Sequence, residues 1–172
     1  ETLDIYAPFA HRLGMGKVKS ELEDLAFRHL MSDVHRSVVD RVDSIHRERQ
    51  ENLDKTNQQL QEELGKSGLE AEITGRAKHY YSIYRKMIDQ NRPLEEIYDL
   101  IGVRIIVNTV RDCYHALGVV HNLWPPVADR FFDYIATPKN NLYQSLHTTV
   151  KLSGGHKMEI QIRTWEMHRT AE

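Results

Sequence analysis

The chain has 172 residues, enough for one domain of ordinary size with its own core plus an appendage. With 40% hydrophobic and 28% charged residues, and 23 basic against 25 acidic side chains, bulk charge excludes a general nucleic-acid or membrane binder, so any anion site must come from local arrangement. The single cysteine, Cys113, excludes an internal disulfide, consistent with a reducing cytoplasm, and reads as a small buried helix residue; no apolar run reaches the length of a membrane span and no signal peptide opens the chain.

Residues 1–31 are predicted to form two helices. Leu3, Tyr6, Ala7, Ala10 and Leu13 recur at helical spacing until Gly14 and Gly16 break the pattern, and Val18, Leu22, Leu25, Ala26 and Leu30 make a second stripe. Ser32 or Asp33 caps a third helix reaching about Leu64, with Val34, Val38, Val42 and Ile45 on one side. From Arg47 to Glu63 that helix is almost entirely charged or amide, which reads as a solvated helix bridging two parts of a larger protein. The chain reads as a piece of a longer protein, opening inside one helix and closing inside another.

After Gly68 the pattern changes. Leu69, Ala71 and Ile73 alternate as a strand, 78–90 reads as a helix, and Ile101 to Val107 is a β-branched run expected to be buried. Val110 to Leu123 reads as a helix ended by Pro125-Pro126, and 127–143 as a polar, aromatic loop. Strands over 146–152 and 157–163 are joined through Gly154-Gly155, and a last helix starts at Trp165. The order β-α-β-α-β-β-α implies an α+β fold: a mixed sheet flanked by helices, preceded by a helical segment. The expected division is 1–31, a long linking helix over 32–68, and the α+β unit over 69–172.

Three groups of residues are suited to chemistry. Lys78, Ser82 and Lys86 sit at i, i+4 and i+8, a stripe roughly 12 Å long that could run beside a triphosphate; a solvated basic face has the same pattern. Asp99, just before the 101–107 strand, reads as a turn cap or a metal ligand, and Glu159 shares a strand face with Gln161 and Arg163. Two acids from separate strands suit one Mg²⁺ if they converge. In the 136–147 loop, Tyr143 offers a stacking face and Asn141 an amide for a base edge, or Tyr143 simply closes the core over a surface turn.

The segment Gly75-Arg76-Ala77-Lys78-His79-Tyr80-Tyr81-Ser82-Ile83-Tyr84-Arg85-Lys86 resembles the GRxKHxYSIYRK motif of the RelA/SpoT-type alarmone synthetases. Glu96-Ile97-Tyr98-Asp99-Leu100 with Val103-Arg104, Tyr134-Ile135-Ala136 through His147, and Glu159-Ile160-Gln161-Ile162-Arg163-Thr164 with Met167-His168 are similar to three more of their motifs, in order and spacing. Residues 1–31 resemble the end of the hydrolase domain that precedes the synthetase in long members.

This resemblance implies a nucleotidyltransferase-like fold and synthesis of (p)ppGpp in the stringent response, by transfer of pyrophosphate from ATP to the 3′-hydroxyl of GDP or GTP. Arg76 and Arg104 would sandwich adenine, and Lys78, Ser82 and Lys86 would hold the ATP phosphates. Asp99 and Glu159 would carry Mg²⁺, with Glu159, helped by Gln161, polarising the attacking hydroxyl. Tyr143 would stack on guanine, with Lys139, Asn141 and His147 around the acceptor. The whole protein would be cytoplasmic and either ribosome-associated or regulated by further domains, with no direct nucleic-acid contact from these residues.

Two departures stand out. Ala77 replaces a frequent proline, and Arg130-Phe131-Phe132-Asp133 lies between the family's RFKD and EFDD forms, keeping the arginine of the first, GDP-favouring form. None of the ten histidines is followed by aspartate, so no alarmone hydrolysis is expected. The competing readings are a catalytically silent nucleotide-binding regulatory module, against which the retained Asp99 and Glu159 argue, and a nucleotidyltransferase acting on RNA ends, against which the near-neutral charge argues.

Overall fold

A computed structural model describes the backbone of residues 1–94, 97 and 101–171, and their side chains except those of 49, 51, 52, 77, 101 and 154. Asp99 and most of the Glu96–Leu100 motif lie outside the described residues.

The chain opens with a π-helical turn, Thr2–Tyr6, that runs into α1 (Ala7–Arg12). Gly14, at φ +77°, makes the turn into α2 (Gly16–Leu30), as the two glycines predict. Of the expected apolar stripes, Ala7 and Ala10 are buried, whereas Leu13, Leu25 and Leu30 are exposed; α2 instead buries Phe27. Phe27 stacks on Tyr84 with centroids 4.8 Å apart and joins Val38, Val42, Tyr81, Ile83, Leu94 and Ile97 in a small core between the helical segment and α4.

Helix α3 (Ser32–Lys66) is longer than expected by two residues, and its far half is not wholly solvated. Leu60 and Leu64 are fully buried against the sheet, with Leu53 partly so. Each such leucine contributes about 1.5–3 kcal/mol of burial. One apolar residue per turn among charges is enough to dock a helix on a sheet, and the charge density around them hides it in the sequence.

The sheet has order β1-β2-β5-β4-β3, with β2 and β5 parallel and the other neighbours antiparallel. β1 is Glu72–Ala77, later than the expected 69–73 strand, because the stretch through Gly75 pairs with β2 (Ile101–Val107), opposing Arg76 to Gly102. Helix α4 therefore starts at Tyr80 rather than residue 78, and runs to Gln90. Lys78 precedes the helix, so it does not continue a helical stripe with Ser82 and Lys86.

Helix α5 (Val110–Leu123) starts on a capping box in which Thr109 and Asp112 bond reciprocally. The expected 127–143 loop contains an edge strand, β3 (Pro126–Asp133). It pairs with β4 (Leu146–Lys151) through a register shift around Asp129, which has φ +60°. Most of its side chains are exposed, so it shows no apolar alternation, and its proline and bulge are devices of edge strands. β5 (Lys157–Thr164) follows the hairpin expected through Gly154-Gly155, and α6 (Trp165–Ala171) closes the described chain.

Strand alternation separates the two faces of this sheet. Val103, Ile105, Val107, Met158, Ile160, Ile162, Leu146 and Val150 form the main core with α3 and α5. The other face carries Arg76, Arg104, Lys157, Glu159, Gln161, Arg163, His147, Thr149 and Phe132, in rows fixed by the pairing. One row reads Arg76–Gly102–Glu159–Thr149 and the next Thr74–Arg104–Gln161–His147–Phe132.

Candidate active site

Glu159 is the centre of the polar face. Its Oε1 accepts a 3.0 Å hydrogen bond from Gln161 Nε2 and lies 3.5 Å from His147 Nδ1 and 3.9 Å from Arg76 Nη1, while Oε2 lies 3.7 Å from Lys78 Nζ. Gly102 stands between Arg76 and Glu159 in its row; a Cβ there would come within 3.0 Å of the Glu159 carbonyl oxygen, so the middle strand leaves the space open. Burial alone would raise the Glu159 carboxyl. The contact with His147, and then those with Lys78, Gln161 and Arg76, outweigh burial and hold it far below the ordinary carboxylate range. Glu159 is thus an anion at any physiological pH. A carboxylate so stabilised is a poor proton acceptor and a good partner for cations.

His147 joins this carboxylate to the predicted acceptor loop. Burial lowers its imidazole pKa against the raising pull of Glu159, so the ring is neutral near pH 7. A neutral ring carries one proton, and the carboxylate beside Nδ1 draws it there. Nε2 then accepts from the Tyr143 hydroxyl at 2.9 Å. Burial also pushes the Tyr143 phenol up, so it stays protonated and can donate. Tyr134 packs edge-on against both rings, and the Lys139 ammonium lies 4.4 Å from the Tyr134 centroid and 5.4 Å from that of Tyr143.

Two clefts open on this face. The first, about 440 Å³, is lined by Arg76, Lys78, Ser82, Arg104, Lys139, Asn141, Tyr143, His147 and Gln161, with residues of α2 on another side. The second, about 610 Å³, shares Arg76, Lys78, His147 and Gln161 and adds Lys86, Arg92, Arg130, Phe132, Lys157 and Glu159. All the predicted site residues among the described ones therefore line one cleft or the other, and four of them form the shared wall. Among the described residues, Glu159 is the only carboxylate in either lining.

No group of three or more His, Cys, Asp or Glu is gathered for a metal among the described residues. That donor set does not make an all-protein cage. It fits Mg²⁺, which is commonly held by one or two carboxylates plus substrate phosphates.

One participant, Asp24, had no signal in the sequence, and Asn141 and Asp133 make contacts the sequence did not show. Asp24 of α2 supplies the cap that α4 lacks from its own N-cap residue: Oδ1 accepts the Tyr81 N–H at 2.8 Å, and Oδ2 lies 3.2 Å from His79 Nδ1. Asn141 donates through Nδ2 to the His11 carbonyl (3.3 Å) and accepts the Tyr143 N–H through Oδ1 (3.3 Å), so the helical segment and the loop hold each other. Asp133 of the Arg130–Asp133 motif turns away from the clefts: it accepts from Ile135 and Ala136 N–H and from the Tyr114 hydroxyl. That aspartate shapes the turn, and Arg130 and Phe132 are the members of the motif that line the cleft.

The region described as found in RelA / SpoT proteins matches residues 75–172. A GTP pyrophosphokinase of Streptomyces coelicolor is 55% identical over 172 residues, all of this chain and 20% of that protein. The bifunctional (p)ppGpp synthase/hydrolase RelA of Mycobacterium tuberculosis is 51% identical over the whole chain and 23% of its own length. The chain thus spans roughly a fifth to a quarter of these curated relatives. The small alarmone synthetase 1 from Bacillus subtilis, solved with its product pppGpp, aligns with a TM-score of 0.55 at 26% identity, covering 72% of each chain. With more than half of its residues inside the matched region, the chain belongs to the RelA/SpoT family.

Proposed function

We propose that this chain transfers pyrophosphate from ATP to the 3′-hydroxyl of GDP or GTP. The observation that carries the reading is the Tyr143–His147–Glu159–Gln161 network standing between two cation-lined clefts, with Lys78 and Arg76 on its Glu159 end. The 3′-oxygen attacks the β-phosphorus of ATP and its proton passes to solvent, while the bond from that phosphorus to the α–β bridging oxygen breaks and AMP leaves with that electron pair.

The side chains divide this work. Arg76 and Arg104 are diagonal neighbours on β1 and β2, pointing to the same face. Diagonal positions are about 7–8 Å apart, twice the separation of stacked planes, so one adenine fits between their guanidinium groups. Lys78, Ser82 and Lys86 hold the ATP phosphates, and Tyr143 stacks on guanine beside Lys139, Asn141 and His147. Glu159 and Asp99 would hold Mg²⁺, which would supply positive charge to neutralise the phosphate oxygens. His147 and Gln161 orient Glu159 toward the attacking hydroxyl. Most of the acceleration comes from positioning and fixed charge.

The test is incubation of the chain with labelled ATP, Mg²⁺ and either GDP or GTP. AMP and a guanosine 3′-pyrophosphate are expected from both acceptors. ATP and guanine-nucleotide binding without either product would refute the transfer.

A further inference from the structure

Helix α2 lies outside the matched 75–172 region, yet it closes one side of the first cleft through Gly16, Lys17, Lys19 and Ser20. It is fixed there at both ends. At one end, Gly14 is packed so closely on the acceptor loop that a Cβ would lie 3.3 Å from the Asn141 carbonyl oxygen, and Asn141 bonds back to His11. At the other end, Asp24 caps α4. The register of α2 against the cleft is therefore set by the same loop and helix that carry the predicted nucleotide contacts.

Charge in that cleft is one-sided. Among the described lining residues there are seven lysines and arginines, Lys17, Lys19, Arg76, Lys78, Arg104, Lys139 and Arg163, and no aspartate or glutamate. Lys19 lines the same cleft as His11 and the loop residues Lys139, Asn141 and Tyr143. Burial lowers the Lys139 ammonium pKa and Lys19 lowers it further against the pull of Glu159; burial, then Lys19 and Lys139, lowers the His11 imidazole against Glu23. Assembling like charges around a partly closed cleft costs free energy that an anion placed between them recovers. Lys19 does have an acid neighbour, Glu23 at 3.7 Å one turn along α2, but a partly exposed i,i+4 pair of this kind holds a lysine only weakly.

We infer that Lys19 is a nucleotide-binding residue, taking the 5′-phosphates of the acceptor guanosine nucleotide together with Lys139. This rests on the transfer reaction proposed above. The acceptor, rather than ATP, is indicated because Lys139 belongs to the loop that carries Tyr143 and Asn141, whereas α4 lines the cleft with Ser82, preceded by Lys78. A helical segment beyond the matched region would then complete the acceptor site, and a lysine that looks like ordinary helix surface in the sequence would be part of it.

The test compares the wild-type chain with Lys19→Ala, Lys19→Glu and Lys19→Arg. Equilibrium binding of fluorescent GDP and GTP is measured beside steady-state kinetics with acceptor and ATP varied separately. Lys19→Ala is expected to raise the acceptor Kd and KM roughly tenfold, the weight of one charge-assisted contact, and Lys19→Glu more. Lys19→Arg should stay near wild type, the KM for ATP should move less than twofold, and the salt dependence of GDP binding should weaken in Lys19→Ala. Acceptor binding within twofold of wild type in Lys19→Ala overturns the inference, as does an equal rise in the KM for ATP. A wild-type chain that binds GDP but forms no product would refute the transfer reaction, while its binding data would still decide for or against Lys19. Thermal unfolding of each variant identifies any loss that comes from the fold.

Discussion

Replacing Glu159 by glutamine removes one negative charge with little change of shape, and the structure sets the sign of two separate effects. In the free chain the carboxylate lies 3.7 Å from Lys78 and 3.9 Å from Arg76, the two cations shared by both clefts. Polyphosphate docked on those cations places its charge about 5 Å from Glu159. At that distance, in a partly screened cleft, the repulsion amounts to about 1–2 kcal/mol. In EDTA, Glu159→Gln should therefore bind ATP roughly five- to thirtyfold more tightly than wild type. With Mg²⁺ the order should reverse in function: wild type turns over, and the variant loses both turnover and the strengthening of ATP binding by the metal. Calorimetric titration of ATP in EDTA and in Mg²⁺, with AMP release measured in parallel, separates these effects. Unchanged ATP affinity in EDTA would mean that the phosphates do not pass Glu159. Wild-type turnover in the variant would remove the carboxylate from the mechanism.

Three further outcomes follow from the same geometry. Tyr143→Ala should raise the KM for GDP by roughly five- to a hundredfold, the range of one base–aromatic stack, with the KM for ATP changed far less; the reverse pattern would reassign the loop to the donor. Because the folded-state pKa of Glu159 is depressed, its contribution to stability is complete above the ordinary value of 4.5 and is lost as pH falls below it; thermal midpoints measured from pH 6 to pH 3 should drop less steeply in Glu159→Gln than in wild type. Asp24→Leu should cost about 1 kcal/mol in chemical denaturation through loss of the α4 cap and should raise the KM for ATP, while Asp24→Asn, which keeps an acceptor for the Tyr81 N–H, should recover most of both. An Asp24→Leu variant with lowered stability and an unchanged KM for ATP would confine Asp24 to a structural role.

The parts of the fold that were legible in the sequence are those whose pattern is set locally. The β-branched run at 101–107, the helix at 110–123, and the hairpin through Gly154-Gly155 lie where periodicity and turn chemistry put them. The errors share a different cause. Glu72–Ala77 is a strand because β2 pairs with it, although Gly75 argues locally against one, and that displacement moves Lys78 off the start of α4. Edge strand β3 has exposed side chains on both faces and a bulge at Asp129, so period 2 never shows. Leu60 and Leu64 dock α3 on the sheet as isolated apolar residues among charges.

The candidate site divides along the same line. Lys78, Ser82, Glu159, Tyr143 and His147 carry recognisable motifs, and the sheet brings their strands and loops together on one face through the register Gly102–Glu159–Thr149. Asp24 and Lys19 of α2 and His11 of α1 carry no synthetase motif, because their contribution depends on where the helical segment packs: Asp24 lies 55 residues from His79 and His11 130 residues from Asn141. A side chain acting across such a gap is defined by tertiary placement alone, with no local spacing to betray it. The α2 segment therefore separates the two sources of information most sharply. If Lys19→Ala and Asp24→Leu leave both nucleotides bound as in wild type, the site is contained in the motif-bearing 75–172 region. If one weakens the acceptor and the other weakens ATP, the helical segment forms part of the site.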